Sequence, residues 1–414
     1  VIPGTVNEFP LFAWLNGDLH AHMMGAPFLV LAAGVGYAVY RTPAAEPRRR
    51  AALAFGVVPV LGGFQAIVDT WGFPTVFGLL WLALAFSPAS PLSAVRAVRP
   101  GRALDSLLPG RGPGGEAVRL VSATALAGLA GAVAALLAAP FLFGAATATS
   151  REVAVLAATD RSSLGALALV HGGFAVSFLA YLATRYDGDR AWPLLAGVAA
   201  LSFVALLGNL AVLVLTGPLL VLGWVGLRMD RPVGFETVLI VAGAGLVTAV
   251  EFVYLVEEAG PGRFNTVFKI YAQVWAFWSV AAGVAVVGLL RSVGVVVADA
   301  ATDDTGRADA ASTPTAANGG RERPPGPETA QENPAAANAG SATGERSVAA
   351  LVGVGSRGVV AALVVLLVLS TSVYGALALD AHFAGGGEPT LDATAFVAEA
   401  HPEEAQAIDW LDDR

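Results

Sequence analysis

The sequence predicts an all-α integral membrane protein, a polytopic bundle of about ten transmembrane helices. Hydrophobic residues make up 56% of the 414 residues and charged residues only 14%, whereas roughly a quarter of a soluble domain is charged. Several apolar runs also reach the roughly 18 residues that cross a bilayer as a helix. Together these observations exclude an ordinary water-soluble fold.

The apolar runs, taken in order, predict ten spans. The third span is short, and a turn at Gly208 and Asn209 separates the sixth from the seventh as a tight helical hairpin. The ten spans cover residues 23–40, 51–68, 73–86, 118–143, 164–184, 192–207, 210–227, 237–256, 271–290 and 358–379.

Arginines predict the orientation, because positively charged loops are retained on the cytoplasmic side. Every odd-numbered span is followed by basic residues: Arg41, Arg48, Arg49, Arg50, Arg96, Arg99, Arg102, Arg111, Arg185, Arg190, Arg228, Arg231 and Arg291. We therefore expect a multi-pass protein of the cell membrane whose N-terminal segment and loops after even-numbered spans are extracytoplasmic.

Four regions follow from these patterns. A membrane domain at 1–297 holds about nine transmembrane helices, and residues 347–380 hold the last one. Between them, residues 298–346 form a low-complexity cytoplasmic linker that is too polar to fold and is expected to be disordered. The extracytoplasmic tail at 381–414 contains an amphipathic helix starting at Pro402, and we expect it to begin a further soluble region.

Composition excludes several functions. Cysteine is absent, which rules out disulfides and thiolate metal sites. The net charge of −8 argues against nucleic-acid binding, and no Gly-rich phosphate loop indicates ATP hydrolysis. The acidic excess, with Lys269 as the only lysine, is typical of a salt-adapted, halophilic organism.

The informative polar residues lie in the segments predicted to be extracytoplasmic. Glu8 precedes a group formed by Asp18, His20 and His22 before the first span. The spacing puts all three on one side of an extended chain, or Asp18 and His22 on one side of a helix. Such a group can bind a phosphate or a divalent cation such as Mg²⁺ or Mn²⁺, or it can simply solvate the start of the helix.

Glu251 is predicted to lie inside the eighth span, where a carboxylate is costly unless it faces a polar cavity. Tyr254 and Glu258 follow at helical spacing and would extend the same face. Glu251 is therefore a candidate catalytic or metal-binding residue; alternatively, it pairs with Arg263 and holds a loop.

The segment from Arg263 to Tyr271 adds Asn265 and Lys269 at the start of the ninth span. Helix N-termini and cations attract anions, so this segment is either a seat for a lipid phosphate or a set of interfacial anchors.

Asp69 and Trp71 form a turn typical of sugar stacking and also of plain interfacial belts. His171, inside the fifth span, is predicted to be a buried, hydrogen-bonded structural residue.

Five stretches together resemble an uncharacterised archaeal and Chloroflexi family of multi-pass membrane proteins named for a run of three tyrosines (YYY-type). They are residues 7–10 (Asn-Glu-Phe-Pro), 17–22 (Gly-Asp-Leu-His-Ala-His), 69–75 (Asp-Thr-Trp-Gly-Phe-Pro-Thr), 263–271 (Arg-Phe-Asn-Thr-Val-Phe-Lys-Ile-Tyr) and 390–396 (Thr-Leu-Asp-Ala-Thr-Ala-Phe). The chain resembles the C-terminal part of that family, so we expect the N-terminal half as a possible partner on a separate chain.

Members of that family are similar to GT-C glycosyltransferases. The resemblance implies transfer of a sugar from a polyprenyl-phosphate donor at the extracytoplasmic face, with membrane lipids as further partners. It implies catalytic roles for Asp18, Glu251 and Glu258, and a metal at Asp18 and His22. Donor or acceptor binding would fall to Glu8, His20, His22, Asp69, Trp71, Arg263, Asn265, Lys269 and Tyr271. The alternatives are a transporter or flippase for lipids or small molecules, and a non-catalytic membrane subunit.

Overall fold

The computed structural model describes residues 2, 5, 20–97, 113–144, 152–186, 191–229, 231–256, 262–292, 354–385, 397 and 401–412. The predicted linker at 298–346 lies outside the described residues, and so do the candidate residues Glu8, Asp18 and Glu258.

Helices dominate the described structure, which confirms the predicted all-α multi-pass membrane protein. In chain order the elements are α1 (Ala21–Arg41), α2 (Pro47–Ala52), α3 (Val58–Val68), α4 (Phe73–Phe86), α5 (Pro113–Leu137), α6 (Ala139–Phe143), β1 (Glu152–Val155), α7 (Leu164–Ala183), α8 (Ala191–Leu207), α9 (Ala211–Arg228), α10 (Phe235–Ala249), β2 (Val253–Val256), α11 (Phe264–Ser292), α12 (Val354–Gly385) and α13 (Pro402–Asp412). A π-helix at Leu53–Val57 joins α2 to α3 without a break.

Among the described residues, 7 helices are long and apolar enough to cross a membrane. They are α1, the continuous unit of α2 and α3, α5, α7, α9, α11 and α12. The predicted spans 73–86, 192–207 and 237–256 fall on shorter apolar helices, α4, α8 and α10, of 14, 17 and 15 residues.

Local sequence signals set several helix ends. Proline occupies the first turn of α2 and α4, where its missing N–H costs no helical hydrogen bond. The Ser163 hydroxyl caps α7 by accepting a hydrogen bond from the Ala166 N–H. Asn209 adopts a left-handed backbone (φ 53°) between α8 and α9, which confirms the predicted turn of the helical hairpin.

Buried and half-buried arginines cap helix ends at one end of the bundle, called here the arginine end. Arg50, which is 0% exposed, donates from Nη1 to the carbonyls of Val39 and Thr42 at the end of α1. Arg119 donates to the Ser87 carbonyl at the end of α4, and Arg228 donates to the Ala85 carbonyl there. Cationic side chains donate hydrogen bonds to these terminal carbonyls and interact favourably with the negative end of the helix dipole. The arginines therefore stabilise the fold in addition to indicating its orientation.

Tyr186 lies just beyond α7 at the same end. Its hydroxyl donates to the Leu222 carbonyl of α9. Burial raises the pKa of Tyr186 to about 12, so the hydroxyl keeps its proton and the hydrogen bond at physiological pH.

Helices α10 and α11 form the centre of the bundle. Eight consecutive residues of α10, Thr237 to Ala244, are buried, so this helix is surrounded by protein rather than lipid. Gly243 permits the closest contact, because an added methyl group there would overlap Trp278 of α11. The Trp278 indole N–H donates to the Ile240 carbonyl at 3.2 Å, which satisfies its one polar atom inside the core.

The predicted eighth span is wrong at its end. Helix α10 stops at Ala249, and residues 253–256 form strand β2, which pairs antiparallel with β1 so that Val155 faces Val253. Glu251 therefore lies in a turn beyond the helix rather than inside a span, and Tyr254 does not share a helical face with it. The ninth span also begins earlier than predicted, at Phe264, so Asn265, Lys269 and Tyr271 are all on α11.

The two last helices are peripheral. Helix α12 packs against α7 and α11, with Thr371 close to Gly173, and it exposes large apolar side chains such as Leu363, Leu366 and Leu369. Such a surface suits contact with lipid. Helix α13 starts at Pro402, which confirms the predicted Pro-started helix of the tail.

Candidate functional site

The predicted site residues within the described part of the chain gather at the end of the bundle opposite the arginine end. This polar end comprises the starts of α1, α4 and α11 and the ends of α3 and α10. Side-chain contacts between these elements join them: Lys269 of α11 to His22 of α1, and Gln273 of α11 to Trp71 before α4. Three of the predicted polar segments, around His22, Trp71 and Lys269, therefore meet at one end of the bundle, whereas the stretch at 390–396 lies outside the described residues.

His22 and Lys269 form the centre of the polar end. Lys269 Nζ lies 3.4 Å from His22 Nδ1. Because an ammonium group can only donate, Nδ1 is the acceptor and the neutral imidazole carries its proton on Nε2. The ring of Phe268 packs against His22 at 4.5 Å, and the exposed His20 ring lies 5.4 Å from His22. A half-buried cation beside two imidazoles is suited to binding an anion.

Asp69 lies on the same side of α1 as His22. It is buried at the end of α3, and its carboxylate accepts a hydrogen bond from the Trp71 N–H at 3.3 Å. Gly25 packs directly on it, since an added methyl group there would lie 2.6 Å from the Asp69 Cβ. His22 and Gly25 are three residues apart on one helix and so share a face. The Asp69 carboxylate is thus about one helical turn from the pair formed by His22 and Lys269.

Two buried glutamines, Gln65 and Gln273, complete the polar end and were missed by the sequence analysis. Gln273 lies one turn after Lys269 on α11; it accepts a hydrogen bond from Thr75 at 2.5 Å and donates to the Trp71 carbonyl at 3.2 Å. The buried Gln65 donates to the Asp69 carbonyl at 3.4 Å, and Gly72 leaves room for it, because any side chain there would overlap its amide. Polar but neutral side chains inside apolar runs give no charge signal in a sequence, although a buried amide is itself a clue.

Glu251 and Arg263 form a buried ion pair. Arg263 Nη1 lies 2.6 Å from Glu251 Oε1, and the two side chains are only 6% and 1% exposed. The Ser162 N–H and hydroxyl each donate to the carboxylate at 2.7 Å, and Arg263 also donates to the Asp160 carbonyl. Both carboxylate oxygens are therefore occupied. This geometry matches the structural alternative for Glu251, in which the pair holds a loop: it ties the turn after α10 to the start of α7 and the start of α11.

Tyr271 and His171 continue the polar surface into the bundle. Their rings meet edge to face at 4.4 Å, and both side chains are almost completely buried. Within the described part of the chain, neither the Tyr271 hydroxyl nor either His171 nitrogen has a hydrogen-bond partner. His171 is buried as predicted, but no described residue forms the predicted hydrogen bond, because aromatic rings of α11 surround the imidazole.

An apolar cavity of about 710 Å³ adjoins the polar end. This first groove begins at Trp71 and Thr75 and passes Gly78, Trp81 and Gly245 to reach Trp224. Trp224 is one turn from the end of α9 at Arg228, so the groove follows most of the depth of the bundle. Its walls come from α4, α9, α10, β2 and α11 and are almost entirely hydrophobic. Trp71 and Thr75 belong to both the groove and the polar surface around Gln273.

A protein-family model described as "Uncharacterized membrane protein (DUF2298)" matches residues 1–278. The chain belongs to the DUF2298 family. This confirms the predicted membership of an uncharacterised family of multi-pass membrane proteins. No curated protein and no solved structure matches the chain.

The DUF2298 segment ends inside α11 and contains every candidate site residue, whereas α12 and α13 follow it. Asn265 lies half-buried in the first turn of α11. Among the residues that the structure describes, His, Asp and Glu side chains do not converge in a group of three or more. Asp18, one of the two predicted metal ligands, lies outside those residues, so the divalent metal stays a prediction.

Proposed function

We propose that this DUF2298 protein is a GT-C-like membrane glycosyltransferase that transfers a sugar from a polyprenyl-phosphate donor at the polar end. The position of the first groove carries this proposal. A long apolar channel ends at Trp71 and Thr75, beside the cluster of His22, Asp69 and Lys269. A polyprenyl-phosphate sugar has the same layout, with a hydrocarbon chain attached to a charged and hydrogen-bonding head.

In this proposal Lys269 stabilises the phosphate that leaves with the lipid. Its ammonium group lies 3.4 Å from Nδ1 of the His22 imidazole, at the mouth of the first groove. Arg263 is less suited to this task than the sequence implies, because Glu251 already balances its charge in a buried pair. A preorganised cation at the position where negative charge develops is worth most in a site that excludes water.

The chemical step is an inverting substitution. The acceptor hydroxyl oxygen forms a bond to the anomeric carbon, the bond from that carbon to the phosphate oxygen breaks, and the phosphate leaves with the electron pair. A carboxylate takes the hydroxyl proton. Asp69 is the candidate base within the described residues; Asp18 and Glu258 are candidates outside them. We assign Glu251 to positioning Arg263 and the surrounding turns.

A divalent Mg²⁺ or Mn²⁺ ion at Asp18 and His22 would require a change of the His22 tautomer. While Nδ1 of His22 accepts from Lys269, Nε2 carries the proton, so Nε2 could coordinate a metal only if the proton moved to Nδ1 and the contact with Lys269 were given up. The ion would add positive charge beside the phosphate.

We also propose that the polar end is extracytoplasmic. The arginine end carries Arg41, Arg48, Arg49 and Arg185 in or near short loops at helix ends, and such residues are retained in the cytoplasm. The sugar donor would then be used from the outer leaflet.

Mass spectrometry of lipid-linked sugars and surface glycoproteins in a deletion strain tests the function. We expect the deletion to remove one sugar from the surface glycans and to raise the level of its lipid-linked donor. Wild-type protein should restore the glycan, whereas Lys269→Ala should lower transfer by roughly 100-fold, the loss typical of one charge-stabilising group. Arg48→Ala, which removes an exposed cation at the other end, is the matched control and should restore it.

Unchanged glycans and unchanged lipid-linked sugars in the deletion strain would contradict the proposed function. If the deletion causes a glycan defect and the Lys269→Ala variant restores the glycan fully, the proposed sugar transfer would stand but Lys269 would have no role in it.

A lipid transporter is the second candidate, and His171 favours it. An ionisable side chain inside a membrane bundle with no hydrogen-bond partner among the described residues is costly and often functional. If the protein moves lipids, His171→Phe should stop the transbilayer movement of a fluorescent lipid in proteoliposomes. If it transfers sugars, wild-type protein should move no lipid in that assay.

A further inference from the structure

A second groove, at the arginine end, has no part in the proposed sugar transfer. Its cavity measures about 810 Å³ and lies between α1 and α11, next to the start of α10. The lining changes character along its length. Val30, Gly34, Val280 and Val284 form an apolar wall, and Tyr37, Tyr40, Arg41 and Glu236 surround one end.

The apolar wall is open to the outside of the bundle. Val30, Val280 and Val284 are 44%, 49% and 48% exposed although they line a cavity. Gly34 leaves open space in the wall, since an added methyl group there would meet nothing within 4 Å. In a membrane this surface faces hydrocarbon chains, and a chain could lie in the groove without displacing protein atoms.

The charged end has one available cation. Arg41 is exposed at the last position of α1, and within the described residues its side chain forms no ion pair or hydrogen bond. Glu236 is already used locally: its Oε1 accepts from the Tyr181 hydroxyl at 2.7 Å and from the Gly234 N–H at 2.6 Å. An anion at this end would therefore meet the guanidinium of Arg41 beside Tyr37 and Tyr40, and its binding has to outweigh the repulsion from the Glu236 carboxylate.

We propose that the second groove binds one membrane phospholipid, with its phosphate on Arg41 and one hydrocarbon chain against Val30, Gly34 and Val284. The polarity of the groove matches such a molecule, because it is charged at one end and apolar along the rest. Guanidinium groups bind phosphate oxygens in a bidentate manner, and tyrosines are common at the level of lipid headgroups. The site is separate from the first groove, and it does not depend on the proposed sugar transfer.

Native mass spectrometry of the full chain in detergent tests this site. Phosphatidylglycerol and diacylglycerol with the same acyl chains are titrated separately as probes. We expect one phosphatidylglycerol to bind at least about tenfold more tightly than diacylglycerol. Arg41→Ala should remove that preference, whereas Arg48→Ala, an equal loss of charge nearby that does not line the groove, should leave it unchanged.

A steric variant tests the apolar wall. Gly34→Leu fills the open space and should weaken the binding of both lipids, whereas Gly128→Leu fills an equally open position on α5 outside both grooves and should weaken neither. Thermal melting of each variant verifies that the protein remains folded.

Three results would overturn the proposal. Equal losses for Arg41→Ala and Arg48→Ala would indicate general attraction of anionic lipids. Equal binding of the two lipids to wild-type protein would show that the phosphate does not contribute to binding. A dimer that Gly34→Leu converts to a monomer would show that a second copy of the chain occupies the groove.

Discussion

At the scale of residues, charged side chains in the sequence indicated part of the site, whereas its uncharged residues could not be identified in this way. Glu251, Arg263 and Lys269 are conspicuous in an apolar chain, and pairing of Glu251 with Arg263 was one of the predicted alternatives. Ser162 completes that pair but lies 89 residues from Glu251. A hydroxyl in a distant loop carries no signal of its own, so only the folded chain reveals that both carboxylate oxygens are occupied.

The buried pair should contribute strongly to stability. Glu251→Gln removes one partner and leaves the Arg263 charge buried, so we expect a loss of about 3–5 kcal/mol. Thermal unfolding in detergent measures it. Glu46→Gln is the matched control, because Glu46 pairs with Arg49 at an exposed site where a salt bridge is worth about 1 kcal/mol or less. Equal effects of the two variants would mean that the pair has no special role.

At the scale of elements, hydropathy predicts the helices well and the ends of α10 and α11 poorly. Val253 to Val256 continues the apolar run of α10, so periodicity alone extends the helix through it. Its β-branched and aromatic residues also suit a strand, and pairing with β1, about 100 residues earlier in the chain, decides between the two. The start of α11 was placed too late because Asn265 and Lys269 make its first turns polar.

The contact between α10 and α11 should depend on one glycine. Gly243→Ala would press a methyl group against Trp278, and we expect a loss of about 1–3 kcal/mol from overpacking. Gly245→Ala, on the same helix but facing open space, should be neutral or stabilise the protein by up to about 1 kcal/mol through helix propensity. Melting temperatures of both variants check this, and a harmless Gly243→Ala would contradict the packing described for Trp278.

At the scale of the whole molecule, the two ends of the bundle differ in chemistry. One end has arginines that bind the terminal carbonyls of helices, and the other has the cluster of His22, Asp69 and Lys269. The sequence predicted this asymmetry because arginine placement repeats along the whole chain. It could not predict the two grooves, since each is formed by helices far apart in sequence.

Cysteine labelling tests the proposed orientation cleanly, because the chain has no cysteine of its own. Thr159→Cys, at an exposed position of the polar end, should react with a membrane-impermeant maleimide in intact cells. Arg48→Cys, exposed at the arginine end, should react only after the membrane is permeabilised. The reverse pattern would place the polar end in the cytoplasm.

The central claim is that the first groove holds the lipid chain of a polyprenyl phosphate whose head lies at the polar end. Photo-crosslinking with a diazirine-bearing polyprenyl phosphate, followed by peptide mass spectrometry, measures this most directly. We expect crosslinks in α4 and α10 beside Gly78 and Gly245, competed by unlabelled polyprenyl phosphate, reduced by Gly78→Leu and unchanged by Gly128→Leu. Crosslinks that resist competition, or that Gly78→Leu and Gly128→Leu affect equally, would contradict it.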